Sequence, residues 1–367
     1  MSRFRWLAVF VSAMALVVGI AACGSSSSDE TGGGSSGELS GQIAGAGSSA
    51  QQAAQEAWIA NFENENSGVT VSYDPVGSGG GREQFIAGGT AFGGTDTPLS
   101  EEEGQLAGAM KRCEPGELVE VPDYISPIAI VYNLPGVEDL QLDPDTLAKI
   151  FNQEITEWND PAIAKDNPGV ELPSTRITPV NRSDESGTTE NFTDYLSKVA
   201  PSAWTHEPSG EWPVKGGEAA SGTSGVIEAV NAGEGAIGYA DASQAGELGV
   251  AKIKVGNAFV GPSPEAAAKI LEESPEDKEL SKGKYVFAFE LDRKTESQGT
   301  YPIVLVSSLI ACTHYDSQSE GDIVRAYVEY ALSPEGQEAA AENAGSAPLS
   351  DSLRKKVMPA AEAIGTK

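Results

Sequence analysis

Three short stretches carry the residue types that hold an oxyanion without a metal. Gly45-Ala46-Gly47-Ser48-Ser49-Ala50, Gly77-Ser78-Gly79-Gly80-Gly81 and Ser183-Asp184-Glu185-Ser186-Gly187-Thr188 each join hydroxyls to small residues where an apolar run gives way to a helical pattern. Turns of this kind leave backbone N–H groups unpaired at a helix start, where the helix dipole also favours negative charge. Taken singly, each is equally a set of N-caps with a glycine turn. Arg182 stands at the mouth of the third turn, where a guanidinium can make a bidentate pair with a tetrahedral oxyanion and Asp184 can hold it in place. The alternative is a surface Arg-Asp pair of little worth. Asp96, in Phe92-Gly93-Gly94-Thr95-Asp96-Thr97-Pro98, is either a turn cap or an acceptor facing the ligand. A fourth turn, Ser221-Gly222-Thr223-Ser224-Gly225, has no charged group beside it and reads as a helix cap.

These turns need elements to hold them. Short apolar runs at residues 42–45 and 70–73 alternate with helical stretches at 50–64 and 82–87, an α/β rhythm. Ala53, Ala54, Ala57, Trp58, Ile59 and Phe62 recur at helical spacing, so one face of that helix packs on a sheet. Ile323, Val324, Tyr327, Val328 and Ala331 repeat the pattern, and Pro334-Glu335-Gly336-Gln337 opens a further Ala-rich helix. The strongest strand is expected at 301–311, with others at 118–121 and 176–180, and the segment 262–284 reads as a surface helix and loop.

The chain has 367 residues, with 24 Lys+Arg against 54 Asp+Glu, a formal charge of −30, two His and three Cys. Such acidity excludes a nucleic-acid binder held by bulk charge. Two His and three Cys leave no ligand cluster for a zinc site, so no metal or cofactor is implied. At the N-terminus Arg3 and Arg5 precede an uncharged, mostly apolar run at 7–20, too short for a bilayer core that takes about 20 helical residues. It reads as a secretory signal over residues 1–22. The run ends in Ile20-Ala21-Ala22-Cys23-Gly24, which resembles the lipobox of bacterial lipoproteins and makes Cys23 the lipidated first residue; the alternative is an ordinary signal with an incidental Cys. Residues 23–40 are Gly- and Ser-rich, the composition of a flexible tether. Outside the cytoplasm a disulfide between Cys113 and Cys312 can persist, with two buried free thiols as the alternative.

Taken in series, Gly45-Ala-Gly-Ser-Ser49, Val76-Gly-Ser-Gly-Gly80, Phe92-Gly-Gly-Thr-Asp96 and Arg182-Ser-Asp-Glu-Ser-Gly-Thr-Thr189 resemble the phosphate-binding lipoprotein family of bacterial phosphate ABC transporters, in order and spacing. Trp158-Asn-Asp-Pro-Ala-Ile-Ala164 and Gly235-Ala-Ile-Gly-Tyr239 extend the likeness over nearly the whole chain after Ser40. The resemblance implies an α/β, two-lobed periplasmic-binding-protein-like fold of type II, with doubly wound lobes joined by hinge strands. Residues 41–132 and 303–367 would form lobe I, and 133–302 lobe II. It also implies a ligand set: the Ser49 hydroxyl and Ala50 N–H, Ser78, Asp96 as acceptor of a phosphate proton, Arg182 oriented by Asp184, and Ser186, Gly187 and Thr188 as donors. The partners it implies are inorganic phosphate, membrane permease subunits with their ATPase, and the membrane through a lipid anchor, the protein itself being a monomer and not an enzyme. Two departures stand out. Ser49-Ala50 replaces the family's frequent Thr-Phe, and Glu185 stands where Gly is common, so its carboxylate is expected to point away from the ligand. The alternatives are a secreted phosphatase or serine hydrolase using Ser48 or Ser186, for which His206 and His314 lack a partner pattern, and an oxyanion sensor without a transport role.

Overall fold

In the computed structural model, which describes residues 39–366, strand and helix alternate from the first described turn onward. The signal over residues 1–22, the lipidation at Cys23 and the tether up to residue 38 lie outside the described residues. β1 (Gly41–Gly47), α1 (Gln52–Glu65), β2 (Val69–Asp74), α2 (Ser78–Ile86), β3 (Phe92–Thr95) and α3 (Gln105–Arg112) lead into β4 (Leu118–Tyr132). Next come β5 (Gln141–Leu142), α4 (Pro144–Phe151), α5 (Pro161–Asp166), β6 (Thr178–Arg182), α6 (Gly187–Val199), β7 (Glu218–Ala220), α7 (Gly222–Ala232) and β8 (Ala236–Asp241). β9 (Gly249–Val250), β10 (Lys252–Val255), β11 (Ala258–Val260), α8 (Pro264–Glu273) and β12 (Tyr285–Val286) follow. The chain closes with β13 (Val304–Cys312), α9 (Gln318–Leu332), α10 (Pro334–Ala344) and α11 (Asp351–Ala361).

The main sheet runs β2-β1-β3-β13-β4-β8-β6-β7, and a small sheet runs β11-β10-β5. β1 is parallel to both of its neighbours, while β13, arriving from the other end of the chain, is antiparallel to β3 and β4. Buried along its whole length, β4 serves two neighbours in turn. Residues 118–127 pair with β13, and residues 128–132 pair with β8. One strand therefore belongs to both parts of the sheet. The expected strand at 118–121 is only its beginning. Pro122 and Pro127 cannot donate to a central ladder, but the register slips between Ser307 and Ser308, opposite Tyr124 and Pro122, and the strand continues past them.

Packing fixes the elements behind the turns. The predicted stripe of α1 places Ala54, Trp58 and Phe62 in the core, with Phe62 edge-on to Tyr327 of α9 at 5.4 Å and Trp58 Nε1 donating to Gly336 O at 2.7 Å. Around α6, Phe192 stacks on Tyr239 at 4.6 Å and Phe151 meets Phe192 edge-on at 4.9 Å. α8 is more than a surface helix, since Ala267 and Ile270 are fully buried. Cys113 and Cys312 are bonded to each other, joining the end of α3 to the end of β13 and setting aside the free-thiol alternative. No helix among the described residues is long and apolar enough to cross a membrane.

Candidate functional site

The four turns meet one another: the first faces the fourth and the second faces the third, while Gly77 N donates to Gly47 O at 2.9 Å and Gly222 N to Asp184 Oδ1 at 3.0 Å across these pairs. The first turn leaves β1 and enters α1, where Ser48 Oγ accepts from the N–H groups of Ala50 and Gln51 at 3.1 and 3.4 Å. The Ala50 N–H, expected to face a ligand, is thus engaged by its own turn. Ser49 is buried and looks across to the fourth turn: its Oγ lies 3.0 Å from Thr223 Oγ1 and accepts from Thr223 N at 3.1 Å. The fourth turn does open α7, but its Ser221 makes no side-chain cap, and its N–H groups point at Ser49 and at Asp184 instead. Reading that turn as a mere cap missed this role, because nothing local to Thr223 signals a partner 174 residues away.

The second and third turns form the other pair. α2 starts at Ser78 from a Gly77 with φ of +93°, a conformation that favours glycine. A Cβ on Gly77 would also lie 2.5 Å from Asp184 Oδ2 and 3.4 Å from Arg182 Nη2, so the Arg182-Asp184 pair sits directly on this turn. Opposite, Gly187 opens α6 with no room for a side chain: a Cβ there would come within 2.6 Å of both Asp96 Cβ and Ser78 Oγ. Ser186, expected as a ligand donor, caps α6 by accepting from Thr189 N at 3.2 Å.

Asp96 is the centre of this second cluster. It is buried, and its carboxylate is met by three hydroxyls: Ser78 at 3.3 Å, Thr188 at 3.4 Å and Ser307, whose Oγ donates to Oδ1. Its backbone is pinned as well, with its N–H on Ser78 Oγ at 3.1 Å and its carbonyl accepting from Asn191 Nδ2 at 2.8 Å. A carboxylate so placed acts as an acceptor at the meeting point of β3, α2 and α6. A cavity of about 270 Å³ adjoins it, lined by Asp96, Thr97, Glu190, Asn191 and Arg293 among others.

Arg182 ends β6 with its guanidinium locked to Asp184 through Nε at 2.8 Å and through Nη2. Its N–H donates to the Tyr239 hydroxyl at 3.2 Å, and burial pushes that phenol up to about 12, so it stays neutral. Burial raises the Asp184 carboxyl, yet the hydrogen bond and charge of Arg182 and the Gly222 N–H outweigh it and hold the group below the usual carboxylate range. Glu185 pairs with Arg82 of α2 at 2.6 Å. Among the described residues no cluster of three His, Cys, Asp or Glu could hold a metal.

His206 packs edge-on against Trp204 at 5.0 Å, and His314 lies 3.7 Å from Asp316.

A family model described as the PBP superfamily domain matches residues 32–335. The phosphate-binding protein PstS2 of Mycobacterium bovis (strain BCG / Pasteur 1173P2) is 35% identical over 371 residues, 96% of this chain and 96% of its own length. The phosphate-binding protein PstS 3 of Mycobacterium leprae is 35% identical over 363 residues, 94% of this chain and 95% of its own length. The chain belongs to the PstS phosphate-binding protein family. Members and neighbours of the PstS family share its mixed α/β fold. A high-affinity periplasmic phosphate-binding protein solved with phosphate at pH 8.5 matches with a TM-score of 0.71 at 22% identity, over 87% of this chain and 93% of that one. A phosphate-binding protein from Stenotrophomonas maltophilia matches with a TM-score of 0.67 at 18% identity, over 87% and 94%.

Against the PstS family pattern, four side chains near the turns escaped the sequence reading: Arg82, Thr223, Ser307 and Asn191. Each reaches its partner across more than ten residues of sequence. Arg82 alone carried a local signal, as the charged residue directly following a glycine turn.

Proposed function

We propose that this chain captures inorganic phosphate in a cleft between two lobes, residues 41–132 with 303–367 and residues 133–302, and delivers it to the permease subunits and ATPase of a phosphate ABC transporter. The observation that carries the reading is the convergence of hydroxyl donors from three elements, together with a buried arginine turn, on the seam around the Asp96 carboxylate. Hydrogen phosphate brings both acceptor oxygens and an O–H donor, so it matches a seam that holds donors and one carboxylate. Ser49, the Ala50 N–H, Ser78, Ser186, Gly187 and Thr188 supply donors, and Arg182, held by Asp184, supplies the charged fork. The Ala50 N–H, now held within its own turn, exchanges that bond for the ligand's, while Ser186 Oγ accepts from Thr189 N and keeps its O–H proton to donate.

The strand β4, which is common to both parts of the sheet, gives the lobes a natural hinge. Cys23, as the lipidated residue, anchors the folded body to the membrane as a monomer. Calorimetry of the exported chain with phosphate, sulfate and arsenate is the test. Saturable phosphate binding with weak competition by sulfate is expected, and the absence of any phosphate binding sinks the reading. For the anchor, Cys23→Ser is expected to release the protein from membranes into the medium.

A further inference from the structure

Arg82 is a buried cation that belongs to none of the phosphate donors named above, yet it touches both walls of the seam. Its side chain is 3% exposed. Nη1 donates to Thr95 Oγ1 at 3.1 Å and Thr97 Oγ1 at 2.8 Å, the two residues flanking Asp96. Nη2 donates to Glu185 Oε1 at 2.6 Å in the third turn. Thr97 Oγ1 in turn donates to Glu190 Oε2 of α6 at 2.9 Å. Two acids from the α6 wall therefore converge on Arg82 and Thr97 from the α2 and β3 wall. The backbone follows the same seam: Gly79 N donates to Glu185 O at 3.3 Å, and a Cβ on Gly79 would lie 2.3 Å from Glu185 Oε2.

A carboxylate at position 185 would oppose an anion held by Arg182 three residues away, unless a cation took up its charge. Arg82 does so, and only when the two walls are in contact. We propose that Arg82, Glu185 and Glu190 form an electrostatic clasp across the cleft, with Arg82 as a positioning residue, that holds the walls together and sets how slowly phosphate leaves. The proposal rests on the phosphate reading above for its kinetic consequence, but not for the clasp itself. Because Glu185 is about one-third exposed, with a side-chain exposure of 34%, salt reaches the pair and weakens it.

The test uses the full chain and inorganic phosphate, with release followed by stopped-flow tryptophan fluorescence, since Trp212 lines the cavity beside Arg182, Asp184 and Glu185. Glu185→Gln is expected to release phosphate about tenfold faster at low salt, the size of one charge-assisted hydrogen bond, and to lose the acceleration by salt that the wild type shows. Arg82→Lys, which keeps the charge but not the fork, is expected to fall between them. Release from Glu185→Gln at the wild-type rate, or more slowly, overturns the clasp, the second outcome meaning that the carboxylate merely repels the ligand. Small-angle scattering without phosphate separates the two readings: high salt is expected to expand the wild type, and Glu185→Gln to be expanded already. That response in a protein that binds no phosphate would remove the ligand reading and leave the clasp; its absence in a protein that does bind phosphate would remove the clasp alone.

Discussion

Three hydroxyls meet the buried Asp96 carboxylate, and in the proposed site that carboxylate is the acceptor that discriminates between anions. Hydrogen phosphate keeps an O–H near neutral pH, and sulfate has none. Facing sulfate, the carboxylate would confront another acceptor, at a cost of about 1–3 kcal/mol for an unsatisfied buried polar group. Asp96→Asn is therefore expected to lower the preference for phosphate over sulfate by about tenfold or more, and unchanged sulfate competition in a binding titration would remove this role. At this scale the turns themselves were legible from sequence, because Ser, Gly and Thr at a helix start signal a cap or an anion cradle locally, and Ser78 and Thr188 do meet at Asp96. Ser307 and Thr223 were not, since a hydroxyl in a strand or a capping turn looks the same whatever faces it. The partner of Glu185 was not anticipated: a carboxylate and an arginine 103 residues apart have no common sequence signature.

Elements set how closely the walls can approach. Gly187 is the first residue of α6, and a methyl there would collide with Asp96 Cβ and Ser78 Oγ at 2.6 Å. Gly187→Ala is expected to weaken phosphate binding by more than tenfold while the melting temperature moves by only a few degrees, because the clash is between walls and not inside either one. Equal losses of affinity and stability would show that the clash is paid within the fold. β4 offers a second prediction. Glu120 is buried, and burial pushes its carboxyl up to about 8 against the opposing pull of the Leu99 backbone and the Arg82 charge. An acid raised in the fold adds no penalty below its unfolded value near 4.5 and costs stability progressively as pH rises toward 8. Glu120→Gln should thus raise the melting temperature more at pH 8 than at pH 5, and a pH-independent difference would contradict this. The helices α1 and α9 were readable from their apolar stripes, whereas β4 was cut short in the sequence reading because prolines and acids are rare in a central strand and a register slip leaves no sequence mark.

For the whole molecule, a formal charge of −30 and an anionic ligand pull in opposite directions. Short hydrogen bonds inside the cleft are little screened, while the long-range field that an approaching ion meets is screened within about 10 Å at 0.1 M salt. The association rate of phosphate is expected to rise between 10 and 150 mM NaCl, the reverse of an electrostatically steered encounter; a fall would mean that the cleft focuses positive potential despite the surface. All fifteen residues of β4 are buried in the folded chain. Before the chain folds, such a stretch is a template on which other unfolded copies could pair edge to edge and aggregate. Glu120, Pro122, Asp123 and Pro127 break that template with two charges and two missing N–H donors. The residues that make the finished strand costly to bury are the ones that keep the newly made chain from sticking to its neighbours.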